Sequence, residues 1–410
     1  MDRRQKQKKP IFYKHRPDYL ITLLVVILVG IGLILILSTG WISILKKSAG
    51  ASEDNVFLTQ QIISFTLGVG FWILCSKIDY HRYESQARNI FLVTIGIMLL
   101  VLIPGIAVNV NGATRWVNIA GFNFQPVEFF KLGTIIYTAY WLSKSKEKLS
   151  SFKEGLLPLF VIIGIVVLLT VVIQKDMGSA MVMVLSVFAM YFVAGAGWQN
   201  LLIGLSSMLG VVVLLAILTP YRMARVLTFL GKSDDSSAAA YHINQALIAI
   251  GSGGIMGRGL GKSLQAYGYL PEATNDSIFA IIGEEAGLWG SGFIITIFAL
   301  LFWRAVKIAR SAPDNFGKFL AFGIAFWIGF QAMINISAML GLIPLTGIPL
   351  PFVSYGGTSL VALLITVGIL QNISKYTYKE VYDEDSGSRR RHGRSHIASA
   401  RRHRVDSQAQ

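Results

Sequence analysis

Residues 268–290 read GYLPEATNDSIFAIIGEEAGLWG, where a long polar stretch ends and an apolar one begins. Asp276 stands at the junction. Glu284 and Glu285 follow roughly 12 Å further along a helix, at about 1.5 Å per residue. An acid inside an apolar, membrane-length segment costs at least ~2.5 kcal/mol, so such residues point to function by default. A plainer alternative is that Asn275, Asp276 and Ser277 only cap the helix. That alternative leaves Glu284 and Glu285 unexplained, although one of them is available for polar pairing within the helix packing.

Composition sets the class. The 410 residues are 53% hydrophobic and 14% charged, against roughly 25% charged in soluble domains. Apolar runs recur at 19–37, 58–75, 90–108, 126–142, 157–173, 177–194, 201–218, 277–303, 319–340 and 352–373. The expected fold is all-α: a polytopic membrane protein of about ten transmembrane helices, each near the ~20 residues a bilayer needs. The first run is too long for a signal-peptide core and reads as a retained helix. Cys75, the single cysteine, excludes an intrachain disulfide and a cysteine metal cluster.

The net charge of +15 lies largely in the tails and short loops. In such a protein it reads as topology and attraction to anionic lipid, with no nucleic-acid partner. Residues 1–18 form a basic N-terminus. The loops 76–89, 143–156 and 304–318 carry Lys and Arg as well, which assigns them, with both termini, to the cytoplasm. Residues 19–373 form the membrane domain, and 374–410 a basic tail expected to be disordered. The remaining loops then face outward. They include 109–125, the polar break Gln174-Lys175-Asp176, and the one long loop, 219–276, between helices 7 and 8. Residues 341–351, GLIPLTGIPLP, are too rich in Gly and Pro for a regular helix. No internal repeat and no separate soluble domain is evident.

The embedded polar residues gather on the outward side. Glu128 and Lys131, at i and i+3, share one helix face. Asp276, Glu284, Glu285, Asp176, Lys175, Arg115, Arg222 and Arg225 belong to the same side. Such a set offers a general base and a cationic cradle for an anion. Two structural alternatives stay open: a purely structural Glu128–Lys131 pair, and interfacial snorkelling by Arg222 and Arg225. The stretch GSGGIMGRGLGKS, 251–263, ends like a phosphate-binding loop, but Met256 stands where the first glycine is required. Its glycines instead suit tight turns or close approach to another element. His242 has no metal-ligand spacing and reads as structural.

These blocks carry a resemblance. GATRW (112–116), FQPVEFFKLG (124–133), QKDMGS (174–179), NQALIAIGSGG (244–254), LPEATNDSIFAIIGEE (270–285) and Asn335 with GLIPLTGIPLPFVSYGGTS (341–359) occur in order. Together they resemble the SEDS family (shape, elongation, division and sporulation), most like its FtsW and SpoVE branch, over about residues 15–375. The resemblance implies a peptidoglycan glycosyltransferase that polymerises lipid II at the outer face of the bacterial cytoplasmic membrane, in septal cell-wall synthesis. It implies Asp276 as catalytic base; on the residues alone, Glu285 is next in line. It implies Glu128 and Lys131 in the polar cavity; with them, Arg115, Arg222, Arg225, Glu285, Ser354, Gly356 and Gly357 are the candidate substrate-binding residues.

The implied partners are lipid II, the growing glycan, a class B penicillin-binding protein and other divisome proteins. Mg²⁺ or Mn²⁺ is the candidate cofactor, with Asp276 its candidate ligand; no nucleotide or organic cofactor is expected. Val127, Lys175 and Asn275 depart from the family's usual Ser, Pro and Thr, and leave the charged positions intact. The competing readings are a lipid II flippase, and a non-catalytic scaffold for the transpeptidase.

Overall fold

A computed structural model describes residues 11–14, 16–46, 54–110, 113–119, 122–149, 151–200, 202–204, 206–207, 210, 220–231 and 237–379. The helices are α1 (Tyr19–Lys46), α2 (Asp54–Lys77), α3 (His81–Ser85), α4 (Ala87–Leu99), α5 (Pro126–Ser145), α6 (Leu157–Val167), α7 (Met177–Val193), α8 (Pro220–Phe229), α9 (Ala238–Gly253), α10 (Ile278–Ser311), α11 (Asn315–Met339) and α12 (Gly357–Ile373). Each expected apolar segment except 201–218 has a helix over most of its length, though the helix in 90–108 ends by Leu102 and the end of that segment enters a strand; most of 201–218 lies outside the described residues. Among the described residues, four helical stretches are long and apolar enough to cross a membrane by length and composition, including Ile278–Ser311 and Asn315–Met339. Shorter apolar helices accompany them. The protein is thus a mostly helical, multi-pass membrane protein.

Local chemistry sets the helix starts. Pro126 opens α5, where its missing N–H costs nothing. Asp176 caps α7 by accepting from the Ser179 N–H at 3.1 Å, and Asp314 caps α11 through Gly317 at 2.8 Å. α11 is the central strut, packed against α5, α7 and α10. Phe319, Trp327, Gln331 and Asn335 along it are all buried. α2 lies along α12 at a separation that admits no side chain at Gly368, where a Cβ would sit 2.6 Å from the Trp72 carbonyl oxygen. Outer helices keep large apolar side chains exposed, such as Leu23, Val26, Leu67, Phe71, Leu92 and Val93, as lipid contact requires.

Two features differ from the sequence expectation. The stretch read as a loop at 109–125 is largely a three-stranded antiparallel sheet, β2 (Ala107–Val110), β3 (Ala113–Ile119) and β4 (Phe122–Phe124). Val117 pairs with Ala107 on one side and Phe124 on the other, and is buried. At the opposite end of the bundle, β1 (Ile11–Lys14) pairs antiparallel with β5 (Tyr376–Lys379). The Arg304 Nε, near the far end of α10, donates to Asp18 beside this ribbon at 2.5 Å. Part of each expected tail is therefore ordered; residues 380–410 lie outside the described residues.

Candidate active site

Asp276 ends the turn that leads into α10. The helix has no side-chain cap, so the capping alternative for Asp276 fails. Ser277 instead donates to the Pro271 carbonyl at 2.9 Å and meets His242 Nε2 of α9 at 2.7 Å. The Asp276 side chain is half-buried, and its Oδ1 is buried without a hydrogen-bond partner. Burial first, and Glu272 second, push its carboxyl up to about 7, while Arg225 of α8 pulls it down by less. A carboxyl balanced near neutral pH is suited to proton transfer. Burial, then Arg225, hold the nearby His242 below its ordinary value, with Glu272 opposing.

The proline-rich segment 341–356 walls this carboxylate. Its regular ladder is replaced by bonds to other elements. Arg225 Nη1 donates to the Leu345 carbonyl at 2.7 Å. Asn335 Nδ2 donates to the carbonyls of Ile348 and Asp276, both at 2.7 Å. Gln331 Nε2 donates to the Pro349 carbonyl at 3.0 Å. Gly347 has φ +68°, and a Cβ there would lie 3.6 Å from Asp276 Oδ2 and 4.0 Å from Arg225 Nη1. A Cβ there would make only ordinary contact with either group, so it is the left-handed backbone that calls for glycine.

Ser354 accepts from the Leu350 N–H at 2.8 Å and donates to the Asn275 carbonyl at 2.5 Å. It ties the segment to the turn that carries Asp276. A Cβ at Gly357 would lie 2.3 Å from Ser64 Oγ, so this glycine serves the packing of α12 on α2; Gly356 is the residue before it, at the α12 N-cap.

Glu128 and Lys131 form a buried ion pair at 2.8 Å. Lys131 Nζ also donates to Gln331 Oε1 at 3.2 Å, and Ser359 of α12 donates to Glu128 Oε2 at 3.2 Å. Trp327 adds its ring, 5.7 Å from the ammonium, and an Nε1–H bond to Gln331 Oε1 at 2.9 Å. Arg115, from β3, donates through Nη2 to the Lys175 carbonyl at 2.7 Å, and its Nε is buried without a partner. Lys175 adopts φ +56° at the turn before α7. Arg222 lies on α8, and its side chain is outside the described residues.

The glycine-rich 251–263 stretch does approach another element closely. α10 breaks at Gly287, with φ +64° and ψ −157°. The two helical bonds lost there, from Leu288 and Trp289 back to Glu284 and Glu285, are replaced across the gap. Arg258 and Gly259 N–H groups donate to the carbonyls of Glu284 and Glu285, each at 2.9 Å. Leu288 and Trp289 donate to Gly254 and Ile255 at 3.0 and 3.4 Å. A broken helix in a bilayer needs such substitutes.

The Glu284 carboxylate anchors the same stretch, accepting from Ser263 Oγ at 2.5 Å and the Leu264 N–H at 2.9 Å. Glu284 is therefore the structural acid of the pair. Glu285 accepts from Ser38 Oγ at 3.1 Å and leaves Oε2 buried without a partner. Gly257 has φ +78°, and a Cβ there would lie 2.2 Å from the Glu285 carbonyl oxygen. Gly257→Ala should therefore cost roughly 2–5 kcal/mol from strain and overpacking together. Gly254→Ala, at φ +55° with open space around it, should cost only the strain; thermal unfolding midpoints of the two variants test this.

Sequence reasoning missed Gln331 and Trp327 altogether, and noted Asn335 only within a motif. A usable signal existed. Gln331 and Asn335 are amides at i and i+4 in an apolar helix, and buried amides at that spacing need partners.

The family model described as cell cycle protein, FtsW/RodA/SpoVE, matches residues 18–379. The chain belongs to this family. Stage V sporulation protein E of Bacillus subtilis is 38% identical over 370 residues, covering 89% of this chain and 98% of that protein. A probable peptidoglycan glycosyltransferase FtsW of Geobacter metallireducens is 39% identical over 360 residues, covering 88% and 95%. Among solved structures, a chain from a peptidoglycan synthase complex that coordinates polymerization and crosslinking matches with TM-score 0.70 and 26% identity, over 88% of this chain and 98% of that one. The rod shape determining protein RodA of Thermus thermophilus matches with TM-score 0.62 and 26% identity, over 88% and 97%. Family membership and the observed helices agree on a multi-pass bacterial membrane protein.

Proposed function

We propose that this FtsW/RodA/SpoVE-family chain is a peptidoglycan glycosyltransferase that polymerises lipid II at the outer face of the cytoplasmic membrane, with Asp276 as general base. The observation that carries the reading is the half-buried Asp276 carboxylate, with an unpartnered Oδ1, held near neutral balance beside Arg225 and Gly347. A sugar hydroxyl is a poor nucleophile. Asp276 takes its proton as the hydroxyl oxygen attacks the anomeric carbon of the donor, and the diphosphate leaves with the bonding electrons. Attack opposite that leaving group inverts the α-linked donor to a β-1,4 product. Negative charge grows on the departing diphosphate; Arg225, the cation beside Asp276, would stabilise it, with Arg115 a further cation from β3.

Among the described residues no group of three or more His, Cys, Asp or Glu forms a metal cage. Asp276 Oδ1 fits Mg²⁺ or Mn²⁺ as a single protein ligand, the mode in which such ions are shared with substrate phosphates. The ion would supply charge neutralisation at the diphosphate. The septal role and a class B penicillin-binding protein as partner belong to the same proposal. They are supported by the FtsW and SpoVE relatives and by the synthase-complex neighbour.

Asp276 must be ionised to act as base, and its carboxyl is raised to about 7. Polymerisation should therefore fall as pH drops through about 7, on a single-group acid limb of kcat/KM, the parameter that reports the free enzyme. A kcat/KM profile that is flat from about pH 5 to 8 would count against Asp276 as the base. The decisive assay is glycan formation from lipid II by the purified protein with its transpeptidase partner. Moenomycin is included to silence polymerases of the other class, and wild type is compared with Asp276→Asn.

A further inference from the structure

The Glu128–Lys131 pair and the Asp276 turn are linked by hydrogen bonds from Gln331 and Asn335 to the adjoining Pro349 and Ile348 carbonyls, Asn335 also holding the Asp276 backbone carbonyl. Gln331 Oε1 accepts from Lys131 Nζ and from Trp327 Nε1, so the amide can present only its Nε2 to the Pro349 carbonyl. One turn further along α11, the Asn335 amide holds the adjoining Ile348 carbonyl and the Asp276 carbonyl with the same nitrogen. Between these clamped carbonyls and Arg225 lies Gly347, the residue that faces the Asp276 carboxylate. The segment can do little to hold itself here, since Pro344, Pro349 and Pro351 have no N–H to donate. Its shape at Asp276 is set by α11.

We propose that Gln331 is a positioning residue for Asp276: locked by Lys131 and Trp327, it fixes the 345–349 backbone that walls the carboxylate. The buried ion pair then serves catalysis without touching substrate, by orienting one amide. For its catalytic consequence the inference rests on Asp276 acting in polymerisation; the mechanical link does not.

Two variants of the full-length protein in lipid nanodiscs test this. Gln331→Met removes all three bonds at similar volume. Trp327→Phe keeps an aromatic ring and leaves Gln331 in place, removing the Nε1–H that helps lock the amide together with part of the buried indole; it is the second variant should Gln331→Met not fold. Amide exchange over residues 345–350 should rise about tenfold or more in Gln331→Met, and less in Trp327→Phe, with exchange in the α11 core unchanged. With the partner and lipid II, kcat should fall about tenfold or more while KM stays within about twofold.

A purely structural role would lower the amount of folded protein and leave kcat per folded molecule at the wild-type value. Unchanged exchange at 345–350, or raised exchange with an unchanged kcat, overturns the proposal. If Asp276→Asn polymerises normally, the base reading falls by that result alone. The exchange measurement still decides whether Gln331 holds the segment.

Discussion

Asp276→Asn is expected to lower the rate of glycan polymerisation by about 10²–10⁴-fold, the contribution typical of a positioned general base. The amide is nearly isosteric and cannot take the acceptor proton. The same substitution should stabilise the protein at high pH. The carboxyl of Asp276 is raised to about 7 in the folded chain, against ~3.9 for a hydrated aspartate. The fold therefore favours the neutral form: this group's contribution is fully present below about pH 4 and is lost as pH rises through about 7. At pH 8 the variant, which has no charge to bury, should melt a few degrees above wild type, with the gap closing in acid. Loss of activity with raised stability is a combination that a misfolded variant cannot produce. An Asp276→Asn protein that polymerises like wild type would move the base elsewhere, with Glu285 the next candidate, since Ser263 and Leu264 hold Glu284.

The second large effect concerns the buried pair. Lys131→Met should destabilise by roughly 3–5 kcal/mol, because it strands Glu128 in the interior with Ser359 as its remaining partner. Glu128→Gln together with Lys131→Met should recover most of that loss, since no uncompensated charge then remains. Thermal midpoints of the single and double variants give the comparison. If the double variant is as unstable as Lys131→Met alone, the cost lies in lost packing against Trp327 and Gln331 and not in the stranded charge. Polymerisation should stay low in the double variant even where stability returns, because Gln331 then loses the ammonium that fixes its orientation.

Much of the protein was legible because the bilayer leaves so little choice. A chain in hydrocarbon must form long apolar helices, and those can be read from runs of sequence. Embedded charges such as Glu128, Lys131 and Glu284 stand out against such runs because burying them is costly. The ordered blocks around Asp276 and 341–359 identified the family, which the comparisons bear out.

What escaped the sequence depends on contacts between residues far apart in the chain. Most of the small sheet at 107–124 falls in the stretch 109–125 that reads as a loop, because its strands are short and their pairing needs only each other's backbone. The two acids at 284 and 285 look alike in sequence, yet Ser263 and Leu264 claim one and Ser38 the other. Which glycines matter in 251–263 follows from the break at Gly287, where donors and acceptors freed from α10 find partners in that stretch.

By itself the sequence determined the membrane class, the helical segments and the family, since hydrophobic length and ordered motifs are properties of the chain alone. Only the tertiary structure decided that Asp276 sits beside Arg225 and Gly347, and that Gln331 and Asn335 hold the backbone walling it. Such bonds are directional and join segments far apart in sequence, so no local pattern encodes them.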